Sequence, residues 1–297
     1  MGDTSSAPVD TAPAGRTVLV TGCSSGIGRA AALEFHRGGW DVVASARRLE
    51  SIADLADAGI ATVALDVCDA RSMTQAVAEI EAGRRTIGVL VNNAGYGLQA
   101  PVEELAMEAV REQFETNVFG LLRMCQLVLP GMRRQGWGRI INVSSMGGRF
   151  TFPGGGAYHA SKHAVEALSD ALRLETFPFG VRVSVVEPGV VQTEFGVTAV
   201  STLDESGAGG THGSASGPYD AFRIGLAQRL ASSYDGRRAN LASSPQAVAR
   251  VIVKATSARH PRPRYVVGPV ARVLINTRRV LPDRAFDALM RSQYPTP

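Results

Sequence analysis

A short apolar run that breaks into glycines and then turns helical restricts this chain more than any other feature. Arg16-Thr-Val-Leu-Val-Thr21 is β-branched and apolar, the composition of a strand buried on both faces. It enters Gly22-Cys-Ser-Ser-Gly26-Ile-Gly28 directly, and a helical pattern follows to about Arg37, closed by Gly38 and Gly39. Strand, glycine loop and helix in that order predict a backbone that closely approaches a pyrophosphate. Free N–H groups and the positive end of the helix dipole would face it. The spacing G-x-x-x-G-x-G differs from the commoner G-x-G-x-x-G, and a plain tight turn would use the same glycines.

The rest of the chain repeats the alternation. Strand-like runs fall at Asp41–Ala46, Ile60–Leu65, Ile87–Val91, Arg139–Ser144, Val181–Glu187 and Arg264–Val267. Helical patterns lie between them, at Ser72–Ala82, Glu104–Arg134, Tyr158–Phe177 and Pro245–Ala258, with Pro130 expected to kink or end the second. Seven strands alternating with helices predict an α/β chain, a doubly wound and mostly seven-stranded parallel sheet with helices on both faces. Its ligands would meet at the carboxyl ends of the strands.

The loops after those strands carry the candidate chemistry. Arg47 and Arg48 follow the second strand about twenty residues past the glycine loop, where such folds choose a ribose partner. A guanidinium there suits a 2′-phosphate and favours NADP(H) over NAD(H); two solvated residues before a helix is the plain alternative. Asp66, with Val67, closes the third strand and either reaches an adenine amino group or caps the next helix. Asn92-Asn-Ala-Gly95 either ties strand ends together beside the groove or simply turns the chain. Asn117 sits among Phe114, Val118, Phe119 and Leu121, so it either faces water or binds something specific, and a water-mediated link to Lys162 is the preferred reading.

Tyr158 and Lys162 are four residues apart on a predicted helix and so share one face. A free phenol titrates near ~10, and bringing it to ~7 takes about 4 kcal/mol. An ammonium roughly 4 Å away at an effective dielectric of about 20 supplies about that much. Ser145, at the carboxyl end of the fifth strand, would complete a proton-transfer site with the pair. His159 and His163 have metal-ligand spacing but no acidic or cysteine partner at a matching position, so no metal is expected.

Composition narrows the class. The 297 residues are 45% hydrophobic and 20% charged, and the formal charge of +4 comes without a basic run, which does not favour nucleic acid. Three scattered cysteines form no framework and point to a reducing cytoplasm. No run approaches ~18 apolar residues, so no spanning helix is expected. Residues 1–15 read as a tail and residues 16–297 as one domain. A Ser/Gly/Thr-rich stretch at 201–218, within 196–240, reads as a substrate lid. Residues 268–297 form a basic, amphipathic extension that would pack on the body, meet a second subunit or touch a membrane.

Together, Thr21–Gly28, Asp66, Asn92–Gly95, Asn117, Ser145, Tyr158-His-Ala-Ser-Lys162 and Pro188-Gly189 with Thr193 resemble the short-chain dehydrogenase/reductase family, in its compact single-domain branch, from about Arg16 to Val267. The resemblance implies a Rossmann-type fold and hydride transfer between a nicotinamide and a carbonyl or alcohol. It implies Tyr158 as the acid-base group, Lys162 as its modulator and ribose contact, Ser145 as the partner of the substrate oxygen, and Asn117 in a proton relay. Implied cofactor contacts are Gly22, Ser24, Ser25, Gly26, Ile27 and Gly28; Arg47, Asp66 and Val67; Asn93, Ala94 and Gly95; Tyr158 and Lys162; and Pro188, Gly189, Val191 and Thr193. Glu187-Pro-Gly189, Arg262-Pro-Arg-Tyr265 and Leu281-Pro-Asp-Arg284 look like the hydroxysteroid and retinol dehydrogenase branch, implying a bulky apolar substrate, and the family resemblance as a whole implies a homo-oligomer. The alternatives are a strictly NAD-dependent alcohol dehydrogenase, a nucleotide-sugar epimerase or dehydratase, and a catalytically silent dinucleotide sensor.

Overall fold

The computed structural model describes residues 16–83, 85–193, 217–234 and 242–294. The first half gives β1 (Arg16–Val20), α1 (Gly26–Arg37), β2 (Asp41–Ala46), α2 (Ala53–Asp57), β3 (Ala61–Ala64), α3 (Ala70–Ala82) and β4 (Thr86–Asn92). The second adds α4 (Met107–Phe114), α5 (Leu121–Arg134), β5 (Gly138–Val143), α6 (Gly156–Thr176) and β6 (Val181–Pro188). It continues with α7 (Asp220–Tyr234), α8 (Pro245–Ser257), β7 (Arg264–Val267), α9 (Pro269–Val280) and α10 (Asp283–Gln293).

The strands form one seven-stranded sheet in the order β3-β2-β1-β4-β5-β6-β7, and every pairing is parallel. The expected doubly wound sheet is present, because strands this apolar must be covered on both faces. One face buries Val18, Val20 and Val91 against Ala31 and Phe35 of α1 and Val248 and Ile252 of α8. The other buries Leu19, Leu90 and Ile140 against Met73 and Val77 of α3, Met124 and Val128 of α5, and Val165 of α6. The order reverses between β1 and β4, which opens a crevice at the carboxyl ends of those strands.

Two local alternatives are decided. Asp69, not Asp66, caps α3, its Oδ1 accepting from Arg71 N at 2.8 Å. Helix α5 runs through Pro130 to Arg134 instead of ending there. Proline deletes a single N–H bond from the helix, and Val128 and Met132, both buried on either side of it, hold the run in place. The segment between α4 and α5, Glu115–Gly120, is a π turn, an irregularity that often marks a functional position.

The C-terminal extension packs on the body, the first of the three alternatives. Ala271 and Ile275 of α9 and Phe286 and Met290 of α10 are buried with Met146 and Phe150, and the Phe150 and Phe286 rings meet edge to face at 5.8 Å. Among the described residues no helix is long and apolar enough to cross a membrane. Most of the expected lid, residues 196–216 and 235–240, lies outside the described residues; its described part includes α7.

Candidate active site

A cavity of about 430 Å³ occupies the crevice where the strand order reverses. Its cofactor-like end is built from the glycine loop. Gly22 and Gly26 have φ of +72° and +58°, and a Cβ on Gly22 would stand 2.9 Å from Ala94 Cα, so the loop can lie flat against Asn93–Gly95 only with glycine there. Thr21 Oγ1 accepts from Asn93 N at 3.0 Å and Ala94 N at 3.1 Å, while Asn93 Nδ2 donates to Thr21 O and Gly22 O. Asn92 donates to Asn142 Oδ1 at 3.0 Å across to β5. The two amides therefore tie strand ends together, and Asn93 also lines the cavity.

No side chain caps α1: Ser25 makes no capping bond, whereas Asp69 caps α3 and Ser244 caps α8. The first-turn N–H groups of α1 are left to a ligand or to water, the arrangement an anion uses. Arg47 stands exposed at the end of β2 on the cavity wall, and among the described residues it pairs with no carboxylate. Asp66 also lines the wall, its Oδ1 accepting from Cys68 N at 2.9 Å. Residues Ser24, Ile27, Val67, Gly95, Pro188, Gly189, Val191 and Thr193 complete this end, with the Thr193 methyl beside Gly26. Gly28 does not line the cavity. A Cβ there would stand 2.3 Å from Gly22 O and 2.4 Å from Asn93 Nδ2, so its role is to let α1 close on the loop.

The other end holds the proposed acid-base group. Tyr158 and Lys162 lie on α6, both buried, with Lys162 Nζ 5.9 Å from the centroid of the Tyr158 ring. The ammonium donates to Val143 O at 3.0 Å, which anchors it to the end of β5. Burial pulls the Lys162 pKa down to about 8, opposed by the Glu166 carboxylate. Ser145 follows β5, its Oγ accepting from Gly147 N at 3.1 Å, and lines the same cavity as Tyr158 and Lys162.

Asn117 lies behind this wall, held by specific bonds. Its Nδ2 donates to Tyr96 O at 2.9 Å and to Ser161 Oγ at 3.0 Å, and its Oδ1 accepts from Tyr96 N at 3.1 Å. Ser161 Oγ donates in turn to Tyr158 O at 2.7 Å, so the π turn is bonded to the helical turn that carries the phenol. A Cβ on Gly95 would meet both Asn117 Oδ1, at 2.8 Å, and Lys162 Nζ, at 3.6 Å, so glycine there keeps the two side chains neighbours.

Sequence reasoning missed the outer wall, to which Gln99, Phe152, His159, Leu230 and Tyr294 contribute. Tyr294, just past α10, stacks on Phe152 at 4.7 Å and 4°. The His159 ring is fully buried edge-on to Phe152, in a slot that Gly147 and Gly155 leave open. Burial pulls its pKa down to about 3, with His163 adding to the effect, so the ring is neutral. His159 follows Tyr158 in the chain, which is the one local signal that could have singled it out. Nothing in the pattern of α7 or α10 says that they reach the cavity.

The model of the short chain dehydrogenase family matches residues 16–204. Retinol dehydrogenase 8 of Bos taurus is 36% identical over 260 residues, covering 84% of this chain and 80% of its own. The crystal structure of a short-chain dehydrogenase from Streptomyces avermitilis superposes with a TM-score of 0.75 at 31% identity, over 95% of both chains. The closed form of a serine dehydrogenase complexed with NADP+ does so with a TM-score of 0.73 at 28% identity, over 86% of this chain and 95% of that one.

Proposed function

The chain belongs to the short-chain dehydrogenase/reductase family and is an oxidoreductase; we propose that it transfers hydride between NADP(H) and a bulky, apolar carbonyl or secondary alcohol. The observation that carries this reading is that the glycine loop, Arg47, Ser145, Tyr158 and Lys162 line a single cavity. When bound, the nicotinamide supplies or accepts the hydride at its C4. The uncapped α1 and the flat glycine loop fit a pyrophosphate, and Arg47 fits a 2′-phosphate. Asp66 would hold the adenine amino group, and Thr193 the carboxamide.

In the reductive direction Tyr158 gives its proton to the carbonyl oxygen, and Ser145 donates a hydrogen bond to the same oxygen as charge develops on it. In the oxidative direction the phenolate takes the alcohol proton. The Lys162 ammonium, held at Val143 O, favours that phenolate. Asn117 is a positioning residue that fixes this turn of α6 through Ser161.

Met146, Phe152, Leu230 and Tyr294 on the wall support an apolar substrate, as does the likeness to a retinol dehydrogenase. A strictly NAD-dependent enzyme would differ at Arg47, and a silent dinucleotide sensor needs none of Ser145, Tyr158 and Lys162, all of which line the cavity. Cys68, exposed and unpaired, supports a reducing cytoplasm. Exposed Leu174, Phe177 and Phe179 support a homo-oligomer. The test is NADPH oxidation over aliphatic, aromatic, steroid and retinoid carbonyls. Turnover rising with apolar bulk, and faster with NADPH than with NADH, is expected; turnover confined to small polar carbonyls would overturn the substrate reading.

A further inference from the structure

A second cleft, of about 570 Å³, shares no lining residue with the first. Val251 and Lys254 of α8, His260 and Arg262 of the loop before β7, β7 itself, and Arg272, Asn276 and Arg279 of α9 line it. Among the described residues no carboxylate does.

The charges on this wall are of two kinds. Arg264 is committed inward, to Glu166 at 3.0 Å and Asp170 at 2.6 Å. Lys254, Arg262, Arg272 and Arg279 are exposed, and among the described residues none of them pairs with a carboxylate. Among the described residues some surface arginines find partners, Arg37 with Glu34, Arg111 with Glu108 and half-buried Arg278 with Asp283, while others such as Arg48, Arg71 and Arg284 do not; the four here differ in lining one concavity. Four cations left together around one concavity repel each other, at a cost that a bound anion removes.

The cleft also has a fixed shape. Arg272, Asn276 and Arg279 recur at helical spacing on one face of α9, above Ile275, which is buried. Tyr265 Oη accepts from Arg262 N at 3.0 Å, which ties the facing loop to β7. Guanidinium forks from α9 and from the facing loop, with the Asn276 amide between Arg272 and Arg279 on the helix, match the oxygens of linked phosphates better than a single charge. A concavity of this volume is the size of a metabolite site.

We propose that this cleft binds a small, soluble polyanion carrying linked phosphate groups, at a site separate from the dinucleotide groove. Inorganic pyrophosphate is the probe, titrated calorimetrically into the full chain at low ionic strength, with and without saturating NADP+. Saturable binding that persists with NADP+ present and weakens with added KCl is expected. Arg272→Gln with Arg279→Gln should weaken it about tenfold or more, while Arg250→Gln, exposed on α8 outside the cleft, should leave it unchanged. Arg47→Asp should also leave it unchanged whatever happens to dinucleotide preference, so that this site and the proposed function stand or fall separately. Coincident melting curves for the variants exclude unfolding as the cause of a loss. No saturable binding, or undiminished binding in the Arg272/Arg279 variant, overturns the proposal. So does capture of phosphatidylglycerol vesicles or duplex DNA by a protein that ignores pyrophosphate.

Discussion

Lys162 donates to Val143 O from a buried position, so its charge stays where the helix and the strand end put it. The bond to Val143 was not legible in the sequence, but the shared face of Tyr158 and Lys162 and the hydroxyl of Ser145 after an apolar strand were, because both follow from periodicity. Gly28, expected as a ligand contact, packs tightly against Gly22 O and Asn93 Nδ2; close packing and close approach to a ligand use the same missing Cβ, so the sequence alone does not separate them. His159 and Tyr294 were not legible as site residues, because their neighbours come from other elements. Arg47 carries the most exposed prediction at this scale. Arg47→Asp removes a cation from the cavity wall and places a carboxylate where a 2′-phosphate would sit. The ratio of kcat/KM for NADPH over NADH should fall by about 100-fold, the effect of about 3 kcal/mol; an unchanged ratio would remove Arg47 from the cofactor site.

What holds helix α7 was not legible in the sequence, since its partners lie far off in the chain. Tyr219 Oη donates to Glu103 at 2.8 Å, and Arg223 bonds Glu104. Leu226, fully buried, packs where Gly154 has no side chain, since a Cβ on Gly154 would stand 2.1 Å from Leu226 Cδ2. The helix so fastened carries Leu230 to the cavity wall. Arg223→Ala breaks a partly buried ion pair worth about 1 kcal/mol. It should raise KM for a bulky substrate about fivefold, with kcat and the NADPH dissociation constant nearly unchanged. A shift in NADPH affinity with a constant KM would detach α7 from the substrate end. The π turn before α5 was equally hidden, because a one-residue insertion in a helix leaves little mark on a hydrophobic pattern.

At the scale of the molecule, the parallel sheet was legible because strands buried on both faces are nearly pure apolar runs, and the reversal of strand order then fixes where a site can form. The seat of α9 and α10 was not, since an amphipathic helix declares that it packs without declaring on what. Global stability should show two opposed buried groups. His159 is neutral in the fold, its pKa lowered from 6.5 to about 3, so the unfolded chain binds the extra proton and stability is lost as pH falls from about 6.5 toward 3. Glu166 is pushed up to about 7 from 4.5 by burial and by Glu187, so the folded chain binds the extra proton and stability falls as pH rises from about 4.5 to 7. Between about 4.5 and 6.5 the two slopes oppose each other. His159→Leu removes the first, so its stability relative to the wild type should fall with rising pH by about 1.4 kcal/mol per unit in urea melts. Parallel curves for the two proteins would mean that His159 is not neutral in the fold. The central claim is that one cavity joins a bound nicotinamide to a phenol that moves the proton. Its most direct test is Tyr158→Phe, with NADPH binding followed by fluorescence and hydride transfer by single-turnover absorbance. NADPH should bind within about twofold of the wild type, and the transfer rate should fall by about 1,000-fold. A variant that still transfers hydride at close to the wild-type rate would contradict the account.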